Sequence, residues 1–343
     1  MNANTHLLVI RLSAMGDVAM MVPVLLALTQ QHPELRISIL TRAFFAPMFS
    51  QLPNVSIFEA DVKGTHKGII GLWKLHRGLK RQRFQAVADL HNVLRSNFLK
   101  LLFRLDEKPF YQIDKGRSAK KALTSLTNKK FEQLQTTHER YASVFAQMGY
   151  PVLLDKVSLL QNEPLLGNRA KLIDSKNRKL IGIAPFAAFE GKTYPLALMS
   201  KVINELKNNG TYKLFLFGGG EKEKQQLAQF ADGKHCANTI GQLSFEEELA
   251  LISNLDVMLA MDSGNAHLAA MYGIPTVTIW GVTHPFAGFA PFKQDANTLV
   301  ADRNQFPLIP TSVYGNKAPQ GYENAIASIS PSLIIEKIVS IVG

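Results

Sequence analysis

A chain of 343 residues, 46% hydrophobic and 19% charged, has the make-up of an ordinary globular protein and excludes a disordered or membrane-embedded one; its length predicts two domains rather than one core. The single cysteine, Cys236, excludes an internal disulfide and a multi-cysteine metal site, and fits a reducing cytosol. Lysine and arginine outnumber aspartate and glutamate by 38 to 27, a net charge of +11, which calls for an acidic partner without choosing among nucleic acid, phosphorylated glycolipid and anionic membrane.

Short apolar runs at 7–12, 37–41, 55–58 and 86–90 read as buried strands, separated by helical patterns at 18–31, 44–52 and 68–83, a rhythm that predicts a parallel sheet. The apolar run at 18–28 is too short to cross a bilayer, contains Pro23 and has no signal-peptide pattern, so neither export nor a transmembrane helix is expected. Pro23 also predicts that the first helix begins late or kinks. One basic cluster, Lys74, Arg77, Lys80, Arg81 and Arg83, has Leu72, Trp73, Leu75 and Leu79 interleaved. It reads either as a helix resting on an anionic membrane surface or as a solvated helix face. A second cluster (Lys115, Arg117, Lys120, Lys121, Lys129 and Lys130) lies in a stretch, 105–135, that reads as a loop or lid. A helix at 138–148 follows.

After the polar stretch 161–179 the alternation restarts, with strands at 180–184, 213–217, 257–261 and 276–280 and helices at 195–208, 221–231, 244–254 and 265–272. The expected architecture is α/β, two Rossmann-like doubly wound domains facing across a cleft: residues 1–165, residues 166–330, and a last helix at 331–343 that packs back on the body.

In such sheets ligands bind beyond the carboxyl ends of the strands, which directs attention to three turns: "RLSAMGD", "APFAAFEGKTYP" and "AMDSGNAHLAAMYGIP". Asp17 in the first turn reads either as a general base for an incoming hydroxyl or as the cap of the following helix. Asp262, Ser263 and Gly264 end a strand and open a helix whose free amides suit a diphosphate, and His267 lies one turn further along the same face. These too have a capping or packing alternative. Lys192, in a Gly-Lys-Thr turn, suits a phosphate leaving group, or is a solvated loop lysine. Gly218, Gly219 and Gly220 precede Glu221 and Glu223, either of which suits ribose hydroxyls, although a glycine triplet also makes a plain turn. There is no Gly-x-Gly-x-x-Gly after the first strand and no Gly-x-x-x-x-Gly-Lys-Ser/Thr, which argues against hydride transfer and P-loop chemistry. No Asp-x-Asp pair or supported His-x-x-x-His pair offers a metal site, so departure of a nucleotide without metal is expected.

Taken together, "RLSAMGDVAMMVPVL", "EGKTYP" and "AMDSGNAHLAAMYGIPTVTIWGVTHP" resemble the signature blocks of glycosyltransferase family 9, the ADP-heptose:lipopolysaccharide heptosyltransferases. The likeness spans both halves in order; the middle of the first half matches only in general pattern. It implies the two-domain GT-B fold and an inverting single displacement, with neither metal nor other cofactor. The implied co-substrate is a nucleotide sugar, ADP-heptose. The acceptor is a lipopolysaccharide-core or lipid A-linked glycolipid held by the first domain; separately, the lack of an aromatic-studded basic motif argues against nucleic acid as a partner. Asp17 then matches the catalytic aspartate and Lys192 the phosphate-neutralising lysine. Asp262, Ser263, Gly264 and His267 match the donor-binding block; Gly218, Glu221 and Glu223 are expected to bind the donor on the reading of their own turn. Arg95, Lys115, Arg117, Lys120 and Lys121 are expected to bind the acceptor. Ala187, Ala188 and Tyr194 depart from the family's frequent hydroxyl residues and tryptophan. A cytoplasmic enzyme, peripheral on the inner membrane, is the resulting expectation. A nucleotide-sugar 2-epimerase of the same fold and a non-catalytic nucleotide-sugar-binding protein are the alternatives.

Overall fold

The computed structural model describes residues 5–173 and 178–343. The chain forms two compact units: Met1–Lys115 with Thr137–Leu159, and Gly116–Thr136 with Leu160–Gly343. The simple division near residue 165 is thus replaced by an exchange, in which residues 116–136 leave the first unit for the second. Apolar packing explains it, because Leu123, Phe131 and Leu134 cluster with Phe286, Ala287 and Phe289, and Leu134 N–H donates to the Phe286 carbonyl at 2.9 Å.

The first unit is built on a five-stranded parallel sheet of order β3-β2-β1-β4-β5, with β1 at His6–Ile10, β2 at Arg36–Thr41, β3 at Val55–Glu59, β4 at Ala86–Asp89 and β5 at Phe110–Gln112. Strand order reverses between β1 and β4, the switch point where an open α/β sheet opens a crevice for ligands. Helix α1 (Met15–Gln31) buries every side chain from Val18 to Thr29. The late start expected from Pro23 does not occur, since α1 begins ahead of it and continues through it. The missing amide costs about 3 kcal/mol, and burial of so long an apolar stretch offsets that. Helices α2 (Gly68–Lys80) and α3 (Leu94–Leu105) pack on each other.

Of the apolar residues interleaved with the basic cluster on α2, only Trp73 is exposed. Leu72, Leu75 and Leu79 point into the core, whereas Ile69, Ile70 and Trp73 are 69%, 73% and 47% exposed. At 100° per residue those three share one arc with Lys74, Arg77, Lys80 and Arg81, and the helix carries no acidic residue. Arg77 lies over the Trp73 ring at 4.8 Å, and Lys80 pairs with Asp106 at 2.5 Å.

In chain order, α4 (Arg117–Leu123), α5 (Thr137–Gln147) and α6 (Ala170–Ile173) follow β5 and precede β6. The segment read as one long loop therefore contains β5 and α4. The second unit's sheet has the order β11-β10-β9-β6-β7-β8, all parallel: β6 at Lys179–Ala184, β7 at Tyr212–Leu216, β8 at Cys236–Asn238, β9 at Val257–Met261, β10 at Thr276–Trp280 and β11 at Thr298–Val300. Counted from β6 this is 3-2-1-4-5-6, the dinucleotide-fold order, with its switch point between β6 and β9. Helices α7 (Leu196–Asn208), α8 (Gly220–Ala228), α9 (Phe245–Ser253) and α10 (Gly264–Met271) flank it. Helix α11 (Pro331–Val342) packs on α7, burying Ile334, Ile338 and Val342. Cys236 is buried, which pushes its thiol up to about 12 and keeps it protonated. Among the described residues no helix is long and apolar enough to cross a membrane.

Candidate active site

In the first unit the turns after β1 and β4, on either side of the switch point, meet. Arg11 is buried, and its Nη2 pairs with Asp17 Oδ2 at 2.5 Å while Nη1 donates to the Leu90 carbonyl at 2.5 Å. Asp17 Oδ2 also accepts from Ala14 N–H at 3.2 Å, so the carboxylate does cap the first turn of α1. Oδ1 accepts nothing among the described residues. With its side chain 27% exposed, Asp17 keeps one oxygen available while the other is fixed. The Tyr141 hydroxyl donates to the Asp17 carbonyl at 3.2 Å. Burial works against the Arg11 charge, but Tyr141, Asp17 and Asp89 more than offset it and hold the guanidinium above its ordinary value.

His91 completes this arrangement. Burial first, then the charges of Arg11, Lys115 and Arg95, bring it down to about 3 against the opposing pull of Asp17, so the ring is neutral at physiological pH. Its Nδ1 accepts from Leu12 N–H at 3.3 Å and its Nε2 lies 3.4 Å from Ser13 Oγ. Asp89 holds the backbone of this turn, accepting from His91 N–H at 2.9 Å and Asn92 N–H at 3.0 Å.

The expected acceptor residues divide between the units. Arg95 and Lys115 lie in the first unit, close enough to His91 to suppress its protonation. Arg117 and Lys121 are exposed on α4, in the second unit. Lys120 is only 7% exposed, with its ammonium 3.9 Å over the Phe289 ring, so it anchors the segment and is not presented to a ligand as expected.

In the second unit the turns after β6 and β9 flank the other switch point. Lys192 Nζ lies 3.1 Å from Asp262 Oδ2, and the Thr283 hydroxyl donates to the same oxygen at 2.9 Å. The expectation that Asp262 binds the donor directly is modified, since that oxygen holds the lysine. The Lys192 turn is tightly seated. Val282 N–H donates to the Gly191 carbonyl at 3.1 Å, and a Cβ at Gly191 would meet the Gly315 carbonyl and Val282 Cγ2, each at 2.7 Å. Tyr194 is a core residue here, its hydroxyl donating to the Ile329 carbonyl at 2.6 Å.

Ser263 caps α10 through its backbone alone. Its side chain makes no capping bond, and the buried Oγ has no hydrogen-bond partner among the described residues. The first amides of a helix have no partner within it, so Ser263 Oγ and the α10 amides form a group of unspent donors beside the Lys192–Asp262 pair. Gly264 opens this helix, and His267 is buried one turn further along.

Gly218 and Glu223 lie together: Glu223 Oε2 accepts from Gly219 N–H at 2.8 Å, while Glu221 is exposed and accepts from Gln225 at 3.2 Å. Ala187, Ala188, Gly191 and Glu223 line a cavity of about 820 Å³, together with Phe186, Lys222, Asn316 and Glu323. Lys192, Asp262, Ser263 and His267 are not part of its wall.

The model of glycosyltransferase family 9 (heptosyltransferase) matches residues 72–312. The chain belongs to that family. It is therefore a glycosyltransferase, not a 2-epimerase. The lipopolysaccharide core heptosyltransferase OpsX of Haemophilus influenzae is 22% identical over 301 residues, 87% of this chain and 84% of that protein. Among solved structures, a family 9 glycosyltransferase from Veillonella parvula superposes with a TM-score of 0.76 at 19% identity, covering 99% of this chain and 98% of the other. The E. coli heptosyltransferase WaaC with ADP-2-deoxy-2-fluoro heptose gives 0.66 at 18% identity, covering 98% and 99%.

Sequence reasoning on this family 9 enzyme missed Arg11 and Thr283, which hold Asp17 and Asp262, and His91, which bonds the turn between Arg11 and Asp17. Arg11 and Thr283 stand inside the quoted blocks, six residues before Asp17 and at the end of the next strand's turn, so a search for counter-charges would have found them. His91 lies 74 residues after Asp17, and only the β1–β4 pairing joins them.

Proposed function

We propose that the enzyme transfers a heptose from ADP-heptose to a lipopolysaccharide inner-core acceptor, by an inverting displacement that uses no metal. Asp17 Oδ1 takes the proton of the acceptor hydroxyl as its oxygen attacks the anomeric carbon. The bond from that carbon to the diphosphate oxygen breaks on the opposite side, and ADP leaves with the bonding pair. Arg11 and the Ala14 amide hold the other carboxylate oxygen and so aim the base.

Negative charge developing on the leaving diphosphate is met by Lys192, by the α10 amides and by the Ser263 hydroxyl. The observation that carries this reading is the Lys192–Asp262–Thr283 set, with Asp262 and Thr283 buried, beside the unpartnered Ser263 Oγ. With alanine at 187 and 188, that set bears more of the phosphate recognition. The wall formed by Ala187, Ala188 and Glu223 suits the nucleoside.

A thermal-shift panel tests the donor. A ligand that binds only the folded state raises its apparent stability, so ADP and ADP-heptose should stabilise the protein more than UDP or GDP. Preference for UDP would remove the ADP-sugar assignment.

The acceptor is a glycolipid, and the α2 surface fits the membrane that carries it. Ile69, Ile70 and Trp73 supply apolar contact, and Lys74, Arg77 and Arg81 supply attraction to anionic headgroups. Ile69→Asp/Ile70→Asp should abolish flotation with vesicles rich in phosphatidylglycerol while sparing ADP stabilisation. Unchanged flotation would exclude α2 as the docking surface.

A further inference from the structure

One pair of cations in the second unit has no role in the chemistry above. Lys129 is half-buried, with Nζ donating to the Leu123 and Pro310 carbonyls at 2.7 and 2.6 Å. Arg303 Nε donates to the adjacent Ile309 carbonyl at 3.0 Å, and its guanidinium carbon lies 3.4 Å from the Phe131 ring centroid. Neighbouring carbonyls thus hold two cations side by side, over an aromatic floor.

Burial, then Arg303, brings the Lys129 ammonium down to about 8. No carboxylate pairs with either cation among the described residues; the nearest in sequence, Asp302, turns its Oδ1 to Asn304 N–H at 2.8 Å. Two partly desolvated like charges without a counter-ion are costly, and backbone carbonyls offset only part of that cost.

His284 lies against the same floor, its ring centroid 5.1 Å from that of Phe131. Burial, then Arg303 and Lys129, lower it to about 4, so the ring is neutral. Its Nδ1 accepts from Phe286 N–H at 3.1 Å, which leaves the ring proton on Nε2 as a further donor. His284 follows Thr283, whose hydroxyl holds Asp262, so this group adjoins the phosphate-handling set along a single turn.

We propose that Lys129, Arg303 and His284 Nε2 form a second oxyanion site, distinct from the donor diphosphate site, that receives a phosphate monoester on the acceptor. Two uncompensated cations match a dianion better than a single carboxylate, and charge-assisted bonds from a guanidinium and an ammonium suit its three oxygens. Assignment to the acceptor rests on the transfer reading; binding of phosphate does not.

The test is a titration of inorganic phosphate into protein saturated with ADP, which occupies the donor site, followed by thermal shift at constant ionic strength. Wild type should show saturable stabilisation by phosphate and little by acetate. Lys129→Gln and Arg303→Gln should each weaken the phosphate response about tenfold or more, with ADP stabilisation intact. Equal responses to phosphate and acetate, or a phosphate response unchanged in both variants, would overturn the proposal. If the variants fail to fold, ¹³C-labelled lysine in wild type decides: the Lys129 titration near 8 should move upward in phosphate, and a titration that does not move contradicts the site.

Discussion

Asp17→Asn is expected to lower turnover about 100-fold or more while leaving ADP stabilisation unchanged. Asparagine keeps an oxygen for Arg11 Nη2 and for Ala14 N–H, so the turn after β1 and the first turn of α1 retain their bonds. What it loses is the ability of the free oxygen to take a proton. Rate measured with saturating donor and acceptor, beside a thermal shift with ADP, separates the two effects. A variant with wild-type turnover would remove Asp17 as the base and leave it the capping role it also fills.

Lys192→Ala is expected to lower kcat by about 10²- to 10³-fold and to weaken donor binding as well, because one cation meets the diphosphate both before and during its departure. A second consequence follows from the ion pair. Asp262, nearly buried, loses its counter-charge, which costs about 3–5 kcal/mol of stability when a buried pair is broken from one side. Adding Asp262→Asn should restore much of the stability without restoring the rate. Recovery of both would mean that Lys192 serves the fold alone.

The two sheets were legible in the sequence because parallel strands, buried on both faces, appear as unbroken apolar runs. The cores of β1, β6 and β9 are such runs, while β2, β7 and β10 keep enough buried apolar residues around Ser38, Lys213 and Thr278 to be recognised. β5, β8 and β11 were not seen: each has three residues and pairs on one side only, so no apolar run marks it. Pro23 misled because its local cost was weighed without the burial of α1 around it. The same gap accounts for α2, where Leu72, Leu75 and Leu79 were grouped with Trp73 among the basic residues although only Trp73 is exposed.

For the site, chain position identified the turns, since switch points fall where β1, β4, β6 and β9 end. Side-chain partners were a different matter. Nothing in the spacing of "AMDSGNAHLAA" says that Asp262 spends an oxygen on Lys192, 70 residues earlier, or that Thr283 shares it. Nor does a run of lysines disclose that Lys120 lies over Phe289 while Lys129 and Arg303 lie side by side on adjacent carbonyls. Charge counts give the presence of cations; only the packing of Phe131, Phe286 and Phe289 separates those that anchor from those that remain available.

Glycosyl transfer from ADP-heptose is most directly tested by incubating the wild-type protein with that donor in the presence and absence of lipid A-linked inner-core acceptor, and following both sugars and ADP. Acceptor-dependent release of ADP, with stoichiometric gain of one heptose on the acceptor, is the predicted result. Conversion of the donor to an epimer, or ADP release indifferent to acceptor, would contradict it.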